Sequence, residues 1–498
     1  MAGQTLLAFD LGAESGRSVA GVLDGGRLEI RELSRFPNPM TSVRGHLHWD
    51  VLHLLREIER GLEACASEVT GDLAGLAVDT WGVDYGLLGA NGDLLGFPYV
   101  YRDRRIEGAM EGVFERVPRE RVYELTGIQV MPINTLYQLY AMVRDQSPLL
   151  EAMTDLLFTP DLLSYLLSGR KAAEFSIAST SQLYNPRKGE WAEELFEALE
   201  IPVSIMQEIV PPGTVMGSLE AEIGRRVGLG EVPVIATAGH DTAAAVAAAP
   251  AEGNDWAYIS SGTWSLMGVE SERPIIDQRS MDLNFTNEGG VVGTFRVLKN
   301  IAGLWLVQQC RKSWARERLY SYEELTLLAA ESEEMGAIID PDHASFLNPP
   351  DMPEAIVAFC EQTGQEAPGT PGAFVRCALV SLALKYRQVL EELRAVYEHP
   401  ISRIHVIGGG VRNELLCQLT ADATGLPVTA GPIEATAIGN LLVQAMALGQ
   451  VESPAAMREI VRRSFPVTHY TPQPSGEWED RYRVLSELGE RAGRGGAG

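Results

Sequence analysis

The chain has 498 residues, of which 45% are hydrophobic and 22% are charged. This length suggests two large domains or about three smaller ones, and the composition is that of an ordinary globular protein with ample core. The net charge of −26 at pH 7 argues against binding to nucleic acid or to an anionic membrane surface. The sequence contains no run of about 18 apolar residues, so we expect no membrane-spanning helix.

The lack of a recognisable signal peptide and the cysteine usage predict a cytoplasmic location. Residues 1–5 lead directly into an apolar stretch, without the charged and apolar regions of a signal peptide. The five cysteines are scattered without metal-ligand spacing and are expected to be buried thiols, although Cys360 and Cys377 could pair. Because the chain is acidic, an anionic substrate would need local positive charge or Mg²⁺.

A strand–loop–strand unit is predicted near the N-terminus. Residues 6–10 and 18–23 are the predicted strands, and residues 11–17 form a Gly-rich loop between them. Gly12 and Gly16 permit a tight hairpin. The loop is not of the Walker A type, because no Gly-Lys-Ser/Thr follows and the next element is a strand rather than a helix.

This loop is a candidate phosphate site. Backbone amides of residues 13–17 could approach phosphate oxygens closely, since glycine carries no Cβ, and Ser15 adds a hydroxyl. A plain turn is the alternative for any single loop. Asp10 ends the first strand and is the candidate Mg²⁺ ligand, because Mg²⁺ prefers one or two carboxylates together with water and phosphate oxygens. A turn aspartate bonded to its own loop is the alternative for Asp10.

A helix is predicted to begin at Asp50, and a strand over residues 73–79 then leads into Trp81-Gly-Val-Asp84. The strands meander first and then alternate with helices, which predicts a mixed sheet flanked by helices. Trp81 and Asp84 at a strand end would suit a sugar, with an apolar ring face and a carboxylate for hydroxyl groups. The alternative is that Trp81 belongs to the core.

Residues 231–246 carry the candidate catalytic carboxylate. An apolar strand runs into Gly239, His240-Asp241-Thr242 follows, and an Ala-rich helix begins. Ligands of open α/β sheets bind at such strand ends, so Asp241 suits a general base for a substrate hydroxyl. The alternative is a helix N-cap, since Asp before an Ala-rich helix often has that role.

The second half of the sequence echoes the first. A predicted strand over residues 256–260, the loop Ser261-Gly-Thr263 and a strand over 264–269 repeat the N-terminal order. This repetition suggests two domains of like topology with a cleft between their loops, and a boundary near residues 247–254. The amides of this second loop and the Thr263 hydroxyl could bind phosphate together with the first loop.

Further polar features follow in the second half. A strand over residues 404–407 ends in Gly408-Gly-Gly410, which could seat an adenosine, with a plain strand-to-helix turn as the alternative. Asn300 could bind a hydroxyl or could be a satisfied loop residue. A small-residue helix is predicted over residues 434–448, and residues 489–498 are expected to be frayed.

Several of these stretches occur together, in the same order, in one known family. They are Phe9-Asp-Leu-Gly-Ala-Glu-Ser-Gly-Arg17, Asp79-Thr-Trp-Gly-Val-Asp84, His240-Asp-Thr242, Ser260-Ser-Gly-Thr-Trp-Ser-Leu-Met-Gly268, Thr286-Asn-Glu-Gly-Gly290, Leu298-Lys-Asn300 with Gly303-Leu-Trp-Leu-Val-Gln308, and Gly408-Gly-Gly410 with Glu434-Ala-Thr436. On these residues the chain resembles the FGGY carbohydrate kinases, a branch of the superfamily that also includes actin, hexokinase and the heat-shock chaperone ATPases.

The resemblance implies a fold of two actin-like (ribonuclease H-like) α/β ATPase domains, with mixed sheets flanked by helices and a cleft between. We expect an N-terminal domain over residues 1–246 and a C-terminal domain over residues 247–488. The ATP contacts that it implies are Ala13, Glu14, Ser15, Gly16, Arg17, Thr263, Gln308 and Gly409. The sugar contacts that it implies are Gly82, His240, Asp241, Thr242 and Asn300. It also implies Asp241 as the catalytic base and Mg²⁺ as a cofactor, for which Asp10 is our assignment.

The activity implied is ATP-dependent phosphorylation of a ketose, with O1 of L-rhamnulose as the expected acceptor. L-Fuculose, xylulose or another ketose is the first alternative. A nucleotide-driven switch without a small acceptor is the second, and the lack of a recognisable peptide-binding β domain argues against it. Gly239 is one departure from the family pattern, because serine is expected there, and the single cysteine in the helix over residues 416–422 is another. The sequence leaves the oligomeric state open.

Overall fold

The computed structural model of the chain describes residues 4–69, 72–332, 336–473 and 475–495. The strands are β1 (Gln4–Leu11), β2 (Ser15–Asp24), β3 (Arg27–Pro37), β4 (Met40–Val43), β5 (His46–Trp49), β6 (Leu73–Thr80), β7 (Tyr85–Leu88), β8 (Asp155–Phe158), β9 (Ala173–Glu174), β10 (Tyr184–Asn185), β11 (Glu190–Trp191), β12 (Ile209–Val210), β13 (Thr214–Ser218), β14 (Pro233–Ala236), β15 (Trp256–Ser261), β16 (Trp264–Ser271), β17 (Thr286–Gly289), β18 (Phe295–Ala302), β19 (Arg403–Ile407), β20 (Val428–Ala430) and β21 (Thr468–Tyr470).

The helices are α1 (Val51–Glu68), α2 (Ala109–Arg116), α3 (Arg119–Thr126), α4 (Thr135–Arg144), α5 (Leu149–Ala152), α6 (Thr159–Ser168), α7 (Phe175–Ser179), α8 (Glu193–Leu199), α9 (Ala221–Val227), α10 (Asp241–Ala247), α11 (Gln278–Asp282), α12 (Trp305–Trp314), α13 (Tyr322–Glu331), α14 (Met352–Thr363), α15 (Pro371–Val396), α16 (Glu414–Thr424), α17 (Ala435–Ala447), α18 (Pro454–Ser464) and α19 (Glu477–Gly495). Short 3₁₀ helices span Arg104–Ile106, Val203–Ile205, Ala344–Phe346 and Gly409–Arg412.

The chain divides into two compact units. The first unit is Met1–Glu252, Glu270–Val297 and Glu434–Phe465, and the second is Gly253–Val269, Leu298–Ile433 and Pro466–Gly498. The first crossing from one unit to the other lies within the predicted boundary region, but the expected division at residues 246/247 differs from the structure in the later segments. The chain returns to the first unit twice, so a prediction based on chain order alone could not place those segments.

Helix α17 shows why the C-terminal part of the chain returns to the first unit. Gln444 Nε2 on this helix donates to the Leu7 carbonyl oxygen at 3.0 Å, and Asn440 Nδ2 donates to Asp79 Oδ2 at 2.6 Å. Both partners lie on strands of the first unit, and both amide side chains are fully buried. Buried polar groups require such partners, so these bonds tie α17 to the first sheet.

The sheet of the first unit has the strand order β13-β14-β6-β1-β2-β3. The strands β14, β6 and β1 run parallel, while β1, β2 and β3 form an antiparallel meander. Asp10 pairs in register with Asp79, and an isolated bridge joins Thr80 to His240. The carboxyl ends of parallel strands meet at one sheet edge, and this register therefore brings Asp10, Asp79 and the residues around His240 to the same edge.

The predicted phosphate loop is shorter in the structure than in the sequence analysis. Strand β2 begins at Ser15, and Gly16 pairs with Leu11 inside the hairpin ladder. Only the turn over residues 12–14 is outside the strands, closed by a 2.9 Å bond from the Gly12 amide to the Ser15 carbonyl oxygen. A Cβ on Gly16 would lie 2.5 Å from the Phe36 ring, so this glycine serves close packing rather than loop flexibility.

The second unit repeats the directions of the first sheet. Strand β15 pairs antiparallel with β16 and parallel with β19, β19 pairs parallel with β20, and β20 pairs antiparallel with β21. The first unit has the same order: an antiparallel hairpin, three parallel strands and an antiparallel edge strand. This agreement in topology matches the internal repeat that the sequence suggested.

Several smaller predictions can be compared with the structure. Asp50 caps α1 by accepting from the His53 amide at 2.8 Å, as its sequence position suggested. Helix α19 extends through Gly495, and residues 496–498 lie outside the described residues, so the frayed tail expected over residues 489–498 stays a prediction. Among the helices of the described residues, none combines the length and apolarity that a membrane crossing requires. All five cysteines are buried free thiols, including Cys360 and Cys377.

Candidate active site

Three carboxylates meet at the edge of the first sheet. Asp10 ends β1, Asp79 lies beside it on β6, and Asp241 begins α10 after β14. Asp79 is fully buried, and its pKa is raised well above the ordinary value, first by burial and then by the negative charge of Asp10. The charge of Asp241 raises the Asp79 pKa further. The charges of Asp10 and Asp241 are therefore close enough to affect the protonation of Asp79.

Asp241 is the first residue of α10 and does not cap it. The cap position belongs to His240, whose side chain makes no capping bond, so the N-cap alternative is wrong. Asp241 Oδ1 accepts a 3.1 Å bond from the Thr242 hydroxyl, and its side chain remains 31% exposed. Its pKa is raised, mainly because the protein partly desolvates the carboxylate; the negative charge of Asp10 also raises it, whereas a protonated His240 ring would lower it.

His240 joins Asp241 to two further charged residues. Its Nε2 lies 3.5 Å from Asp241 Oδ1, and its Nδ1 lies 3.2 Å from Glu288 Oε2 and 3.0 Å from Arg296 Nη2. Arg296 Nη2 also donates to Glu288 Oε2 at 3.0 Å. Burial alone would raise the pKa of Glu288, but the positive charge of Arg296, together with the contact of His240, outweighs it and holds that pKa below the ordinary value.

The backbone before Asp241 is anchored by a buried glutamate. Glu174 Oε2 accepts from the Gly239 amide at 2.9 Å and from the Ser176 hydroxyl at 2.5 Å, and Ser176 Oγ accepts from the His240 amide at 3.1 Å. A Cβ on Gly239 would lie 2.9 Å from Glu174 Oε2. The serine expected at position 239 would therefore displace this anchor, which gives the glycine a local structural reason.

Arg17 is engaged within the first unit. Its Nη2 and Nε donate to Asp10 Oδ2 at 2.6 and 2.9 Å, and its Nη1 forms an ion pair with Glu434. The guanidinium thus binds two carboxylates, and a phosphate contact by Arg17 would have to compete with them. The prediction of Arg17 as an ATP contact stays a prediction.

The residues present fit a magnesium ion with few protein ligands. In the described part of the chain, no group of three or more His, Cys, Asp or Glu residues could hold a metal. Mg²⁺ usually takes only one or two carboxylates and fills its shell with water and substrate phosphates. Asp10, which is 12% exposed, suits that donor set, with Arg17 holding one of its oxygens.

Trp81 and Asp84 have a structural role instead of the sugar contact that their types suggested. Asp84 Oδ2 accepts from the indole nitrogens of Trp49 and Trp81 at 2.6 and 2.9 Å, and Oδ1 accepts from Gln138 Nε2 at 3.1 Å. Burial raises the pKa of Asp84 to about 6, against the effect of these donors. Because its oxygens are already occupied, the carboxylate orders the loop around Gly82.

That loop is strained at one position. Val83 has a φ of +68°, a conformation that β-branched residues rarely adopt. Its amide donates to Thr180 Oγ1 at 3.2 Å, and its carbonyl oxygen accepts from the Thr135 hydroxyl at 2.7 Å. Such strain persists only where the surroundings hold it and often accompanies functional sites. Gly82, a predicted sugar contact, immediately precedes the strained Val83. It lies two residues after Thr80, which forms the bridge to His240.

The predicted nucleotide residues of the second unit lie at neighbouring loops. Gln308 Nε2 on α12 donates to Thr263 Oγ1 at 3.2 Å. The loop between β15 and β16 also contacts the glycine triplet, because a Cβ on Gly410 would lie 2.0 Å from Ser261 Oγ. Gly409 has open space where a Cβ would be. Asn300 lies on β18 in this second unit.

Several residues of the site carried little signal in the sequence. Asp79 ends a predicted strand just as Asp10 does, and this shared position could have identified Asp79 as a residue of the site. Glu288 lies in one of the stretches shared with the family, but no feature of that stretch predicted a contact with His240. Arg296 is a single cation in an apolar run, and Glu174 is about 65 residues from the loop that it anchors.

Family models match both halves of the chain. The N-terminal domain of the FGGY family of carbohydrate kinases matches residues 5–248, and the C-terminal domain matches residues 257–448. The chain belongs to the FGGY family of carbohydrate kinases, which confirms the family predicted from the motifs.

Curated relatives narrow the similarity to one branch of that family. The chain is 48% identical to the rhamnulokinase of Bacteroides thetaiotaomicron over 96% of its length and 98% of the relative's. It is 40% identical to the rhamnulokinase of Bacillus subtilis, over 94% and 95% of the two chains.

Solved structures agree with the fold. A gluconate kinase from Lactobacillus acidophilus superposes with a TM-score of 0.80 at 14% identity, covering 99% of this chain and 98% of that one. A xylulose kinase from Rhodospirillum rubrum superposes with a TM-score of 0.78 at 20% identity, covering 97% and 98%. The predicted two-domain α/β fold, with mixed sheets flanked by helices, is confirmed.

Proposed function

We propose that this carbohydrate kinase transfers the γ-phosphoryl group of ATP to O1 of L-rhamnulose, giving L-rhamnulose 1-phosphate and ADP. The rhamnulokinases at 40–48% identity over nearly the full chain support this acceptor. The family supports ATP as the donor. The alternative of a nucleotide switch without a sugar acceptor is not favoured, because both family models describe carbohydrate kinases.

Accessibility selects Asp241 as the base among the four aspartates of the site. Asp79 and Asp84 are fully buried, and Asp10 is 12% exposed and paired with Arg17. Asp241 keeps 31% of its side-chain exposure. A general base must come within hydrogen-bond reach of the proton that it removes, and this single observation carries the assignment.

In the proposed reaction, one Asp241 carboxylate oxygen accepts the proton of the O1 hydroxyl while that oxygen attacks the γ-phosphorus in line with the departing ADP oxygen. A bond forms between O1 and phosphorus, and the bond from phosphorus to the β–γ bridging oxygen breaks. The raised pKa of Asp241 favours this role, because a base works best when its pKa approaches the operating pH.

The substrate contacts proposed are those of the family pattern. Gly82, His240, Thr242 and Asn300 would bind the sugar. The residues proposed to bind ATP are Ala13, Glu14, Ser15, Gly16, Arg17, Thr263, Gln308 and Gly409. Asp10 would hold Mg²⁺, which supplies charge stabilisation for the phosphates when bound.

A coupled assay of ADP release over a panel of ketoses tests this function. With L-rhamnulose, L-fuculose and D-xylulose as acceptors, kcat/KM should be highest for L-rhamnulose, since specificity is the ratio of these values. A reaction without sugar measures the background hydrolysis of ATP.

Two outcomes would contradict the proposal. A higher kcat/KM for another ketose would reassign the acceptor and keep the kinase. An ATPase rate that no sugar of the panel raises would reject the transfer reaction itself and favour the nucleotide switch.

A further inference from the structure

We propose that Glu288 and Arg296 are positioning residues that act on Asp241 through His240, by holding the His240 ring neutral with its proton on Nε2. This inference rests on the proposed function in so far as it treats Asp241 as the base. Neither residue was expected to take part from its place in the sequence.

The geometry assigns the hydrogen bonds of the ring. Arg296 Nη2 carries two protons and lies 3.0 Å from both Glu288 Oε2 and His240 Nδ1. A protonated Nδ1 could donate to Glu288 Oε2, 3.2 Å away, but it would then face a second donor, Arg296 Nη2, at 3.0 Å. An unprotonated Nδ1 instead accepts one proton of Nη2 while Glu288 accepts the other, and we infer this arrangement. The remaining ring proton then lies on Nε2, which is 3.5 Å from Asp241 Oδ1.

The burial of Arg296 argues against a purely structural pair. Its side chain is fully buried, its Nε donates to the Gly289 carbonyl oxygen at 3.0 Å, and its Nη1 has no hydrogen-bond partner within the described residues. Ion pairs buried in this way add little net stability, because the desolvation of the charges offsets their attraction. A role in setting the protonation state of His240 explains why the buried ion pair of Arg296 and Glu288 lies beside the proposed base.

The charges around His240 act in opposite directions. Glu288 favours a charged imidazolium, whereas Arg296 disfavours it. The groups facing this region are Asp241 and Thr242 on α10, Glu288 on β17, Arg296 on β18, Glu174 and Ser176 on the backbone side, and Asp10 and Asp79 beyond Asp241. A protonated His240 would stabilise the Asp241 carboxylate and weaken it as a base, so the Arg296 contact preserves basicity.

Opposite effects of two substitutions test this assignment. Arg296→Met removes the donor and the positive charge, so Nδ1 can take a proton and donate to Glu288; the midpoint of His240 titration should rise. Glu288→Gln removes the anion and leaves the cation, so the midpoint should fall. A charge at this distance shifts a midpoint by about one to three pH units.

The measurement is NMR of protein labelled with ¹³C and ¹⁵N in histidine, with His240 assigned by its loss in His240→Gln. The ¹⁵N shifts of the wild-type protein should report a neutral ring protonated on Nε2. This readout needs no substrate, so it separates a failure of the inference from a failure of the proposed kinase function.

Kinetics provide the second readout. The acid limb of the kcat profile for L-rhamnulose is expected to report the protonation of His240, which weakens Asp241 as a base. This limb should therefore move to higher pH in Arg296→Met and to lower pH in Glu288→Gln. Away from those limbs, kcat should fall by up to about a hundredfold, as small misplacements of reacting groups do, with KM for ATP nearly unchanged. Substitutions in another enclosed pair of the first unit, Arg458→Met and Glu270→Gln, should move neither the limb nor the His240 midpoint.

If one of the single variants fails to fold, a double variant still tests the inference. The double variant Glu288→Gln with Arg296→Met leaves no unpaired charge, a change that buried ion pairs often tolerate, and it should lose the Nε2 tautomer preference of the wild type. Midpoints that stay in place or move in the same direction in both single variants would overturn the inference. A wild-type ring protonated on Nδ1 would also overturn it.

Discussion

Asp241→Asn should abolish most of the phosphoryl transfer while leaving ATP binding intact. The amide has the size of the carboxylate but cannot accept the sugar proton, and loss of a general base typically lowers the rate by about 10²–10⁴-fold. Asp241 is not among the residues proposed to bind ATP, so nucleotide affinity should change little. Steady-state kinetics with L-rhamnulose and calorimetric titration with ATP measure the two effects.

Asp50→Asn is the matched control for this experiment. Asp50 caps α1 in the same unit, and asparagine caps a helix about as well as aspartate, so this variant should retain wild-type turnover. Turnover of Asp241→Asn close to that of Asp50→Asn would contradict the assignment of the base.

Gly439→Ala should strongly destabilise the first unit and lower its activity. A Cβ at this position would lie 1.8 Å from the Ala244 carbonyl oxygen and 2.6 Å from its carbonyl carbon. Backbone atoms cannot rotate away, so α10 and α17 would have to separate. Overpacking of this kind costs about 1–3 kcal/mol and occasionally more. Because α10 begins at Asp241, its displacement should also reduce kcat.

Thermal and urea denaturation, followed together with kcat, measure this effect. Gly489→Ala is the control, because that glycine lies in α19 with no atom within 4 Å of a new Cβ. In a helix interior, alanine is more stable than glycine by about 0.5–1 kcal/mol, so the control should be neutral or stabilising. A stable and fully active Gly439→Ala variant would show that α10 and α17 tolerate a wider separation.

The sequence predicted the parts of the fold that local patterns control. Alternating strands and Gly loops indicated the two hairpins, β1–β2 and β15–β16, and the strand end before Asp241 indicated a candidate base. Each of these rests on neighbouring residues, whose spacing determines strand, turn and helix. The family motifs then joined them into one kinase pattern.

Long-range contacts account for what the sequence did not predict. Glu174, Glu288 and Arg296 reach the Gly239–Asp241 loop from distant segments, and no spacing rule relates them. The return of α17 to the first sheet depends on buried amide bonds such as that of Gln444. Asp84 looked like a sugar ligand because its type is polar, but three-dimensional packing supplies it with indole and amide donors.

The most direct test of the central claim is ³¹P NMR of the products formed from ATP and L-rhamnulose. If the Asp241 carboxylate accepts the proton of a sugar hydroxyl, ADP and a phosphate ester on C1 of the ketose should accumulate in equal amounts, and Asp241→Asn should form neither at an appreciable rate. Release of inorganic phosphate without a sugar ester, or ester formation by Asp241→Asn at the wild-type rate, would contradict it.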